Sequence, residues 1–262
     1  MNWVKYLIRI KKIQGVWERL FQLALYGMNF GPIDPELDGE VPLLKKLGRR
    51  FPPDCVLFDI GANRGDYTKA LVRYFAETAR IFSFEPSVIT FSNLANEVGE
   101  TQNIRLENFA LGDEAATLEL FYDKKSSPLA SLHHRDLQQY GLEHGHYKEL
   151  VKVVRLDDYC RLRQIDNIDL LKLDVEGHEL AVLKGCGDFL AQGRIRVIQF
   201  EFGGCAIDSR IFLRDFFRLL TPRYTLFRMV ADGLVPLNSY DAIYEKYGPN
   251  NFVATTEPAL VL

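Results

Sequence analysis

The sequence has few of the features that mark metal fingers, secreted disulfide proteins or membrane spans. It contains only four cysteines in 262 residues, and no two of them form a CxxC pair. We therefore expect neither a zinc finger nor a disulfide framework, and we expect a reducing, cytoplasmic compartment. No apolar run reaches the roughly 20 residues that a bilayer-spanning helix needs. The formal net charge of −3 gives no broad attraction to nucleic acid, so we expect no nucleic-acid partner.

Residues 1–50 predict a helical extension in front of the main domain, which we place at 51–262. The first residues put apolar side chains on one helical face and basic ones largely opposite. The apolar positions are Trp3, Leu7, Ile10 and Ile13, and the basic ones are Lys5, Arg9 and Lys12. Packing of this helix on its own domain is the interpretation that we favour, and contact with a membrane surface is the less favoured one. A homodimer through the extension is a further option. A second helix is predicted over 42–50.

From Val56 onward, strand and helix patterns alternate, which predicts an α/β fold with a doubly wound, mostly parallel sheet and helices on both faces. The predicted strands are 56–60, 80–84, 103–107, 168–174 and 195–201, and the predicted helices are 66–77, 87–98, 157–163, 178–190 and 209–220. The runs 117–122 and 151–155 predict an antiparallel addition that flanks an insert at 123–150. The runs 224–229 and 251–255 predict a final hairpin-like pair.

The stretch Val56–Asp66, VLFDIGANRGD, predicts a strand, a tight glycine turn and a helix start. Dinucleotide-binding turns read G-x-G-x-x-G, because glycine amides must approach a pyrophosphate closely. This turn has Gly61 and Gly65, but Asn63 stands at the middle glycine. A ligand with an amino-acid end fits better than a pyrophosphate. Its carboxylate would lie near the backbone amides and its ammonium would be held by Asp59, directly or through water.

Glu85 follows the second predicted strand and is placed to accept both hydroxyls of a ribose. An amino-acid end at one strand and a ribose at the next together describe S-adenosylmethionine. Asn108 and Ala110 follow the third strand, and we expect them at the edge and the face of the adenine. Taken alone, the glycine turn could be an ordinary turn and Glu85 an ordinary surface acid. The two motifs at the ends of successive strands together favour a cofactor site.

The reacting end is predicted where the fourth and fifth strands finish. Asp174 ends the fourth strand, Glu201 ends the fifth, and His178 lies in the turn after Asp174. Ligands bind at the carboxyl ends of strands in open α/β sheets, so these three are our candidate catalytic residues. Asp174 and Glu201 could orient and deprotonate an acceptor hydroxyl, or they could share a divalent cation such as Mg²⁺. For His178 an ordinary exposed turn histidine is an equal alternative, whereas Glu179 is predicted only to favour the helix dipole.

The insert contains four of the five histidines, which are His133, His134, His144 and His146. None of their spacings matches a strong metal-ligand pattern. A lid over the strand ends and a solvated loop are evenly weighted interpretations of the insert.

Several motifs together resemble the FkbM family of S-adenosylmethionine-dependent methyltransferases over about residues 55–205. They are VLFDIGANRGDYT, FSFEPS, NFALGD and IDLLKLDVEGHELAVLKG. The resemblance implies a class I, Rossmann-like sheet of seven strands whose last strand is antiparallel. It also implies O-methylation, commonly of sugars, glycolipids, polyketides or other secondary metabolites. By motif match, Asp59, Gly61, Asn63 and Glu85 are implied to bind the cofactor, while Asp174, Glu176 and His178 are implied only as neighbours of the active site.

We therefore predict an O-methyltransferase that acts on a hydroxyl of a saccharide, glycolipid or secondary metabolite. A nicotinamide-dependent oxidoreductase is one alternative, and it is disfavoured by Asn63 where a glycine is needed. A non-catalytic S-adenosylmethionine-binding module is the other, and the acids at the strand ends disfavour it.

Overall fold

The computed structural model describes residues 8–31, 38–136 and 147–262. Its strands are β1 (Val56–Ile60), β2 (Arg80–Phe84), β3 (Ile104–Glu107), β4 (Ala110–Gly112), β5 (Ala116–Tyr122), β6 (Tyr147–Arg155), β7 (Ile168–Leu173), β8 (Ile195–Phe202), β9 (Thr225–Val230), β10 (Gly233–Leu237) and β11 (Asn250–Thr255). Its α-helices are α1 (Gln14–Gly27), α2 (Glu40–Gly48), α3 (Asp66–Tyr74), α4 (Val88–Val98), α5 (Leu156–Arg163), α6 (Glu179–Gly185), α7 (Asp188–Ala191), α8 (Cys205–Ser209), α9 (Leu213–Leu220) and α10 (Pro258–Val261).

The main sheet has eight strands in the order β10-β9-β11-β8-β7-β1-β2-β3. The five predicted strands β1, β2, β3, β7 and β8 are all parallel, which confirms the doubly wound arrangement. β11, the last strand, is antiparallel to β8 and β9, as the resemblance implies. The carboxyl ends of the parallel strands therefore lie along one edge of the sheet.

An eighth strand, β10, was not predicted and lies at the edge of the sheet. It forms the hairpin with β9, so β9 and β11 are antiparallel neighbours but not one hairpin. β10 contains Pro236, which lacks the amide that an interior strand donates and is tolerated at an edge.

A second, three-stranded sheet has the order β4-β6-β5. The antiparallel pairing of β5 with β6 confirms the predicted addition, whereas the parallel pairing of β4 with β6 was not predicted. The described start of the insert returns to this sheet, because Phe121 and Ser131 exchange backbone hydrogen bonds of 2.8 and 3.0 Å.

Apolar clusters cover both faces of the main sheet, and β7 is buried along its whole length. Leu43, Leu44 and Leu47 of α2 belong to one of these clusters, so this helix packs on the sheet. The predicted helix 178–190 is two helices, α6 and α7. The break lies at Gly187, whose φ is +49° and whose added Cβ would overlap the Asp157 carboxylate.

Helix α1 differs from every other long helix because none of its residues is buried. Among its apolar side chains, Leu25 is the one that packs against the core. Of the predicted amphipathic face, Ile10 and Ile13 are partly buried, whereas Trp3 and Leu7 lie outside the described residues, so packing of that face on its own domain stays a prediction. None of the described helices is both long and apolar enough to span a bilayer.

Candidate active site

Hydrogen bonds connect the end of β1 and the turn after it to the two neighbouring strands, β2 and β7. The amides of Gly61 and Ala62 both donate to the carbonyl of Phe84 at 3.0 Å, and the Asp174 amide donates to the Ile60 carbonyl at 3.0 Å. Gly61 has φ +82°, and a Cβ there would overlap the carbonyl oxygen of Asp174. Only glycine fits this position without a shift of the backbone.

A cavity of about 570 Å³ opens at the carboxyl ends of β1, β2 and β7. Of the predicted site residues, six line it: Gly61, Asn63, Glu85, Ala110, Asp174 and His178. These residues are predicted to bind separate parts of one ligand, and the structure brings them to one cavity. Phe109 and Leu111 line the same end as Ala110 and make that end apolar.

Two predicted cofactor residues lie outside this cavity and support its walls. Gly65 begins α3 with φ +87° and packs so closely on Val98 and Leu94 that a Cβ would overlap both. Asn108 uses its side-chain amide to donate to the carbonyls of Glu85 and Pro86 at 2.8 and 3.0 Å. These contacts fix the two loops that flank the cavity.

Asp59 is fully buried behind the cavity and lines none of its wall. Its carboxylate accepts a 2.7 Å hydrogen bond from Thr68 and lies 3.9 Å from the ammonium of Lys172. Lys172 thus places a cation of the protein itself next to Asp59, and a ligand ammonium held by Asp59 stays a prediction.

Lys172 is the most informative residue that the sequence analysis did not assign to the site. It is 5% exposed, and its ammonium lies 3.0 Å from the Asp174 carboxylate and 4.9 Å from the centre of the Tyr67 ring. Burial lowers its pKa, but the charges of Asp174 and Asp59 outweigh burial, so Lys172 stays protonated. A lysine between two leucines of a strand that is predicted to be buried was the signal in the sequence.

Glu85 keeps its carboxylate at the cavity wall by accepting amides from its own neighbours. Its two oxygens accept from the Asn63 amide at 3.1 Å and from the Ser87 amide at 2.9 Å. Burial raises the pKa of Glu85 to about 7, and the two amide hydrogen bonds oppose that rise. Each carboxylate oxygen retains a second lone pair with which to accept from a ligand hydroxyl.

Three carboxylates meet beside the cavity, with one oxygen of Asp174, Glu176 and Glu201 all within 4.8 Å of one another. Burial raises the pKa of Asp174, but Lys172 and a hydrogen bond to Glu201 lower it below its usual value. Burial and the charge on Asp174 raise the pKa of Glu201 well above its usual value. The two carboxylates therefore differ in acidity, because Lys172 stabilises the charge on Asp174 while that charge disfavours ionisation of Glu201.

Glu176 follows Asp174 in a turn with φ +52° and forms an ion pair with Arg135 of the insert. Its backbone carbonyl also accepts from the Ser131 hydroxyl at 2.6 Å. Ser127, Pro128, Ala130 and Leu132 of the insert line the cavity. The described start of the insert therefore covers the strand ends. His144 and His146 lie outside the described residues.

His178 lines the cavity and contacts a second histidine from the insert. Its Nδ1 lies 3.2 Å from Nε2 of His133, so one ring donates and the other accepts. Burial and the neighbouring His133 lower the pKa of His178 to about 4. His178 is therefore neutral at pH 7, and it is not the exposed turn histidine that was the alternative.

A second, wider cavity of about 1530 Å³ adjoins the first, and both are lined by Gly61, Asn63, Pro128 and Asp174. Its other polar walls include Glu40, Lys172 and Asn251, together with Lys124 from the insert. Asn251 donates to Glu40 at 3.1 Å, and burial raises the pKa of Glu40 to about 7. Glu40 was missed by sequence reasoning, because its helix lies far from the strand-end motifs along the chain.

The strand order with its antiparallel last strand and the cavity at the carboxyl edge define a class I, Rossmann-like methyltransferase fold. A family model described as "Methyltransferase FkbM domain" matches residues 59–220. The chain belongs to this family, as the resemblance of its motifs predicted.

Curated relatives are similar to about half to two thirds of the chain. "Hexuronic acid methyltransferase AglP" of Haloferax volcanii is 25% identical over 64% of this chain and 65% of its own length. "2-O-methyltransferase NoeI" of Sinorhizobium fredii is 26% identical over 54% of this chain and 61% of its own. "31-O-demethyl-FK506 methyltransferase FkbM" of Streptomyces tacrolimicus is 30% identical over 54% of this chain and 63% of its own length. The chain thus spans less than two thirds of each of these relatives.

Proposed function

We propose that this protein is an S-adenosylmethionine-dependent O-methyltransferase that transfers a methyl group to a hydroxyl of a saccharide, glycolipid or secondary metabolite. The observation that carries the proposal is the first cavity, which gathers Gly61, Asn63, Glu85, Ala110 and Asp174 at one edge of the sheet. The hydroxyl-directed methyltransferases among the relatives support the reaction class.

The walls of this cavity match the cofactor part by part. The glycine turn, cleared of side chains at Gly61, would hold the amino-acid end, and Glu85 would accept from the ribose hydroxyls. The apolar end formed by Phe109, Ala110 and Leu111 suits an adenine ring. When bound, S-adenosylmethionine supplies an electrophilic methyl group on a sulfonium.

Asp174 is the residue that we assign to the acceptor hydroxyl, because it lines both cavities. Its side chain is 38% exposed and is kept ionised by Lys172. Its carboxylate can therefore accept a hydrogen bond from the acceptor hydroxyl and orient the hydroxyl oxygen towards the methyl group. Alignment of the acceptor oxygen with the methyl group can contribute roughly 7–11 kcal/mol. Glu201 lies beside Asp174 and stays the second catalytic candidate. His178 lines the cavity as a neutral acceptor or donor and stays the third catalytic candidate.

The second cavity would receive the acceptor. Its open shape and its polar wall of carboxylate, amide and ammonium groups suit a molecule with several hydroxyls. The relative that acts on hexuronic acid supports a saccharide, and the relative named for FK506 supports a secondary metabolite.

A methyl-transfer screen tests the proposal. The protein is incubated with cofactor labelled in the methyl group and with saccharide, glycolipid and metabolite extracts, and the products are analysed for a methyl ether. Asp174→Asn should reduce the rate strongly, whereas Asp166→Asn, which changes a carboxylate 93% exposed elsewhere, should not. Equal rates for both variants would remove Asp174 from its assigned role.

The other predicted features stay predictions. A divalent cation at Asp174 and Glu201 is one, and these two carboxylates lie with Glu176 in a cluster whose oxygens are within 4.8 Å of one another. The cytoplasmic compartment and a homodimer are two more. Family membership favours the methyltransferase over the nicotinamide-dependent alternative.

A further inference from the structure

Helix α1 presents large apolar side chains to solvent. Val16, Leu20 and Leu23 are 55%, 48% and 66% exposed, and Trp17 and Phe21 are 43% and 50% exposed. At 3.6 residues per turn, Val16, Leu20 and Leu23 fall within about 60° of the helix circumference. Leu25, on the opposite side, is the residue that packs against the core. The helix is therefore held by one side and exposes a continuous apolar face on the other, and such a face marks an interaction surface.

The charges around this face have one predominant sign. Residues 8–31 contain Arg9, Lys11, Lys12 and Arg19, all exposed, against the single acid Glu18. An apolar face with basic residues around it is typical of helices that lie in the interface of an anionic bilayer. A second copy of the chain on the same face would bring like charges together, and this repulsion disfavours it.

The helix leaves the domain at the edge of the sheet where the cavities open. The Met28 carbonyl accepts from Arg228, and Asn29 donates to the carbonyls of Asp38 and Met229 at 3.0 and 3.3 Å. Asn250 donates to the Asn29 carbonyl. In the antiparallel pairing of β11 with β8, Asn250 lies opposite Phe202, the last residue of β8. These bonds tie the end of α1 to the carboxyl edge of the parallel strands.

We propose that the exposed face of α1 docks on an anionic lipid bilayer, with Val16, Leu20 and Leu23 in the interface and the basic side chains at the lipid headgroups. Docking would bring the carboxyl edge of the sheet close to the membrane surface. If the proposed methyl transfer is correct, hydroxyls of lipid-anchored acceptors would then be near the cavities, but docking itself does not depend on that reaction.

Tryptophan fluorescence tests the proposal, because the chain has two tryptophans, Trp3 and Trp17. In a Trp3→Phe variant of the full chain, Trp17 is the only tryptophan. We expect its emission to shift to the blue when vesicles of phosphatidylcholine with phosphatidylglycerol are added, and to be quenched when their acyl chains are brominated. Vesicles of phosphatidylcholine alone should cause a much weaker change.

Matched variants assign the effect to the apolar face. Leu20→Glu with Leu23→Glu should weaken vesicle binding by about tenfold or more, since each change removes apolar area and adds repulsion. The control is Leu162→Glu, at a leucine 78% exposed in α5, which should bind vesicles like the unchanged protein. Circular dichroism melts confirm that each variant is folded.

Two results would overturn the proposal. One is a Trp17 signal that does not respond to anionic vesicles. The other is a dimer in the absence of lipid, seen as sedimentation at the mass of two chains, that Leu23→Glu converts to a monomer. That result would show that a second copy of the chain covers the apolar face. A separate calorimetric titration with S-adenosylhomocysteine distinguishes failure of docking from failure of the proposed cofactor.

Discussion

Gly61 is the residue on which the geometry of the cofactor turn depends most directly. Its positive φ and the overlap that a Cβ would have with the Asp174 carbonyl both require glycine. We expect Gly61→Ala to lower the free energy of unfolding by about 3 kcal/mol or more and to abolish cofactor binding, because β1 must move away from β7. Chemical denaturation and calorimetry measure the two effects.

Gly99 provides the matched control for this change. Its φ is +73°, but a Cβ there meets open space. Gly99→Ala should therefore cost about 1–3 kcal/mol of backbone strain, because its ψ of 151° lies in a region that favours glycine, but it should leave cofactor affinity unchanged. Equal losses of affinity in the two variants would contradict the close-approach explanation.

Glu85 predicts the pH dependence of cofactor binding. The ionised carboxylate accepts from ribose hydroxyls, and burial raises its pKa to about 7 in the free protein. Binding should therefore be tightest above pH 8 and about tenfold weaker at pH 6, where most Glu85 carries a proton. Calorimetry across this range measures the profile. Glu85→Gln should bind weakly at pH 8 and lose the dependence, whereas an unchanged profile would assign it to another group.

The residues Asp59 and Lys172 show what the sequence could not supply at this scale. The sequence predicted that Asp59 holds the ammonium of a ligand, and it did not show that Lys172 lies next to Asp59. The register of β1 on β7 sets Asp59 opposite Lys172 and makes them partners. Pairing across strands depends on sheet order, which single-strand patterns do not contain.

At the scale of elements, the buried parallel strands were predictable and the edge of the sheet was not. β1 and β2 begin and end where predicted, because continuous apolar runs mark strands buried on both faces. β10 has intermediate and exposed residues and a proline, so no comparable pattern marks it. Asp174 follows β7 and Glu201 lies near the end of the neighbouring β8, and the two were predicted to face one pocket. The opposite shifts of their pKa values follow from their environment, which the sequence does not show.

The insert is the element whose contacts give a further prediction. Arg135 forms an ion pair with Glu176, and Ser131 donates to the Glu176 carbonyl, so both fix the insert to the turn after β7. We expect Arg135→Ala to weaken cofactor binding several-fold, because Glu176 loses its cation and the insert loses one attachment. Hydrogen exchange should become faster over residues 123–136. Exposed Arg161→Ala, which breaks only a surface ion pair, is the control and should change neither.

If Arg135→Ala leaves both exchange and affinity unchanged, the insert does not act as a lid over the cavity. Faster hydrogen exchange over residues 123–136 with unchanged cofactor affinity would mean that the ion pair between Arg135 and Glu176 stabilises the insert but does not affect cofactor binding.

At the scale of the whole molecule, the site is assembled from elements far apart in the chain. Glu40 comes from α2, Gly61 and Glu85 from the first two strand ends, Arg135 from the insert, and Asn251 from β11. The sequence motifs lie within 55–205, so residues that α2 and β11 contribute could not be found from them. The carboxyl ends of parallel strands lie at one edge of the sheet whatever segments of the chain connect them. The motif residues follow such strands, and for this reason they were predictable.

The central claim is that the cavity at the carboxyl edge binds S-adenosylmethionine, and calorimetric titration with its product S-adenosylhomocysteine tests it most directly. We expect one ligand per chain, at least tenfold weaker binding by Glu85→Ala, and no heat with a nicotinamide dinucleotide. Folded protein that gives no heat with S-adenosylhomocysteine, or that binds the nicotinamide dinucleotide instead, would contradict the claim.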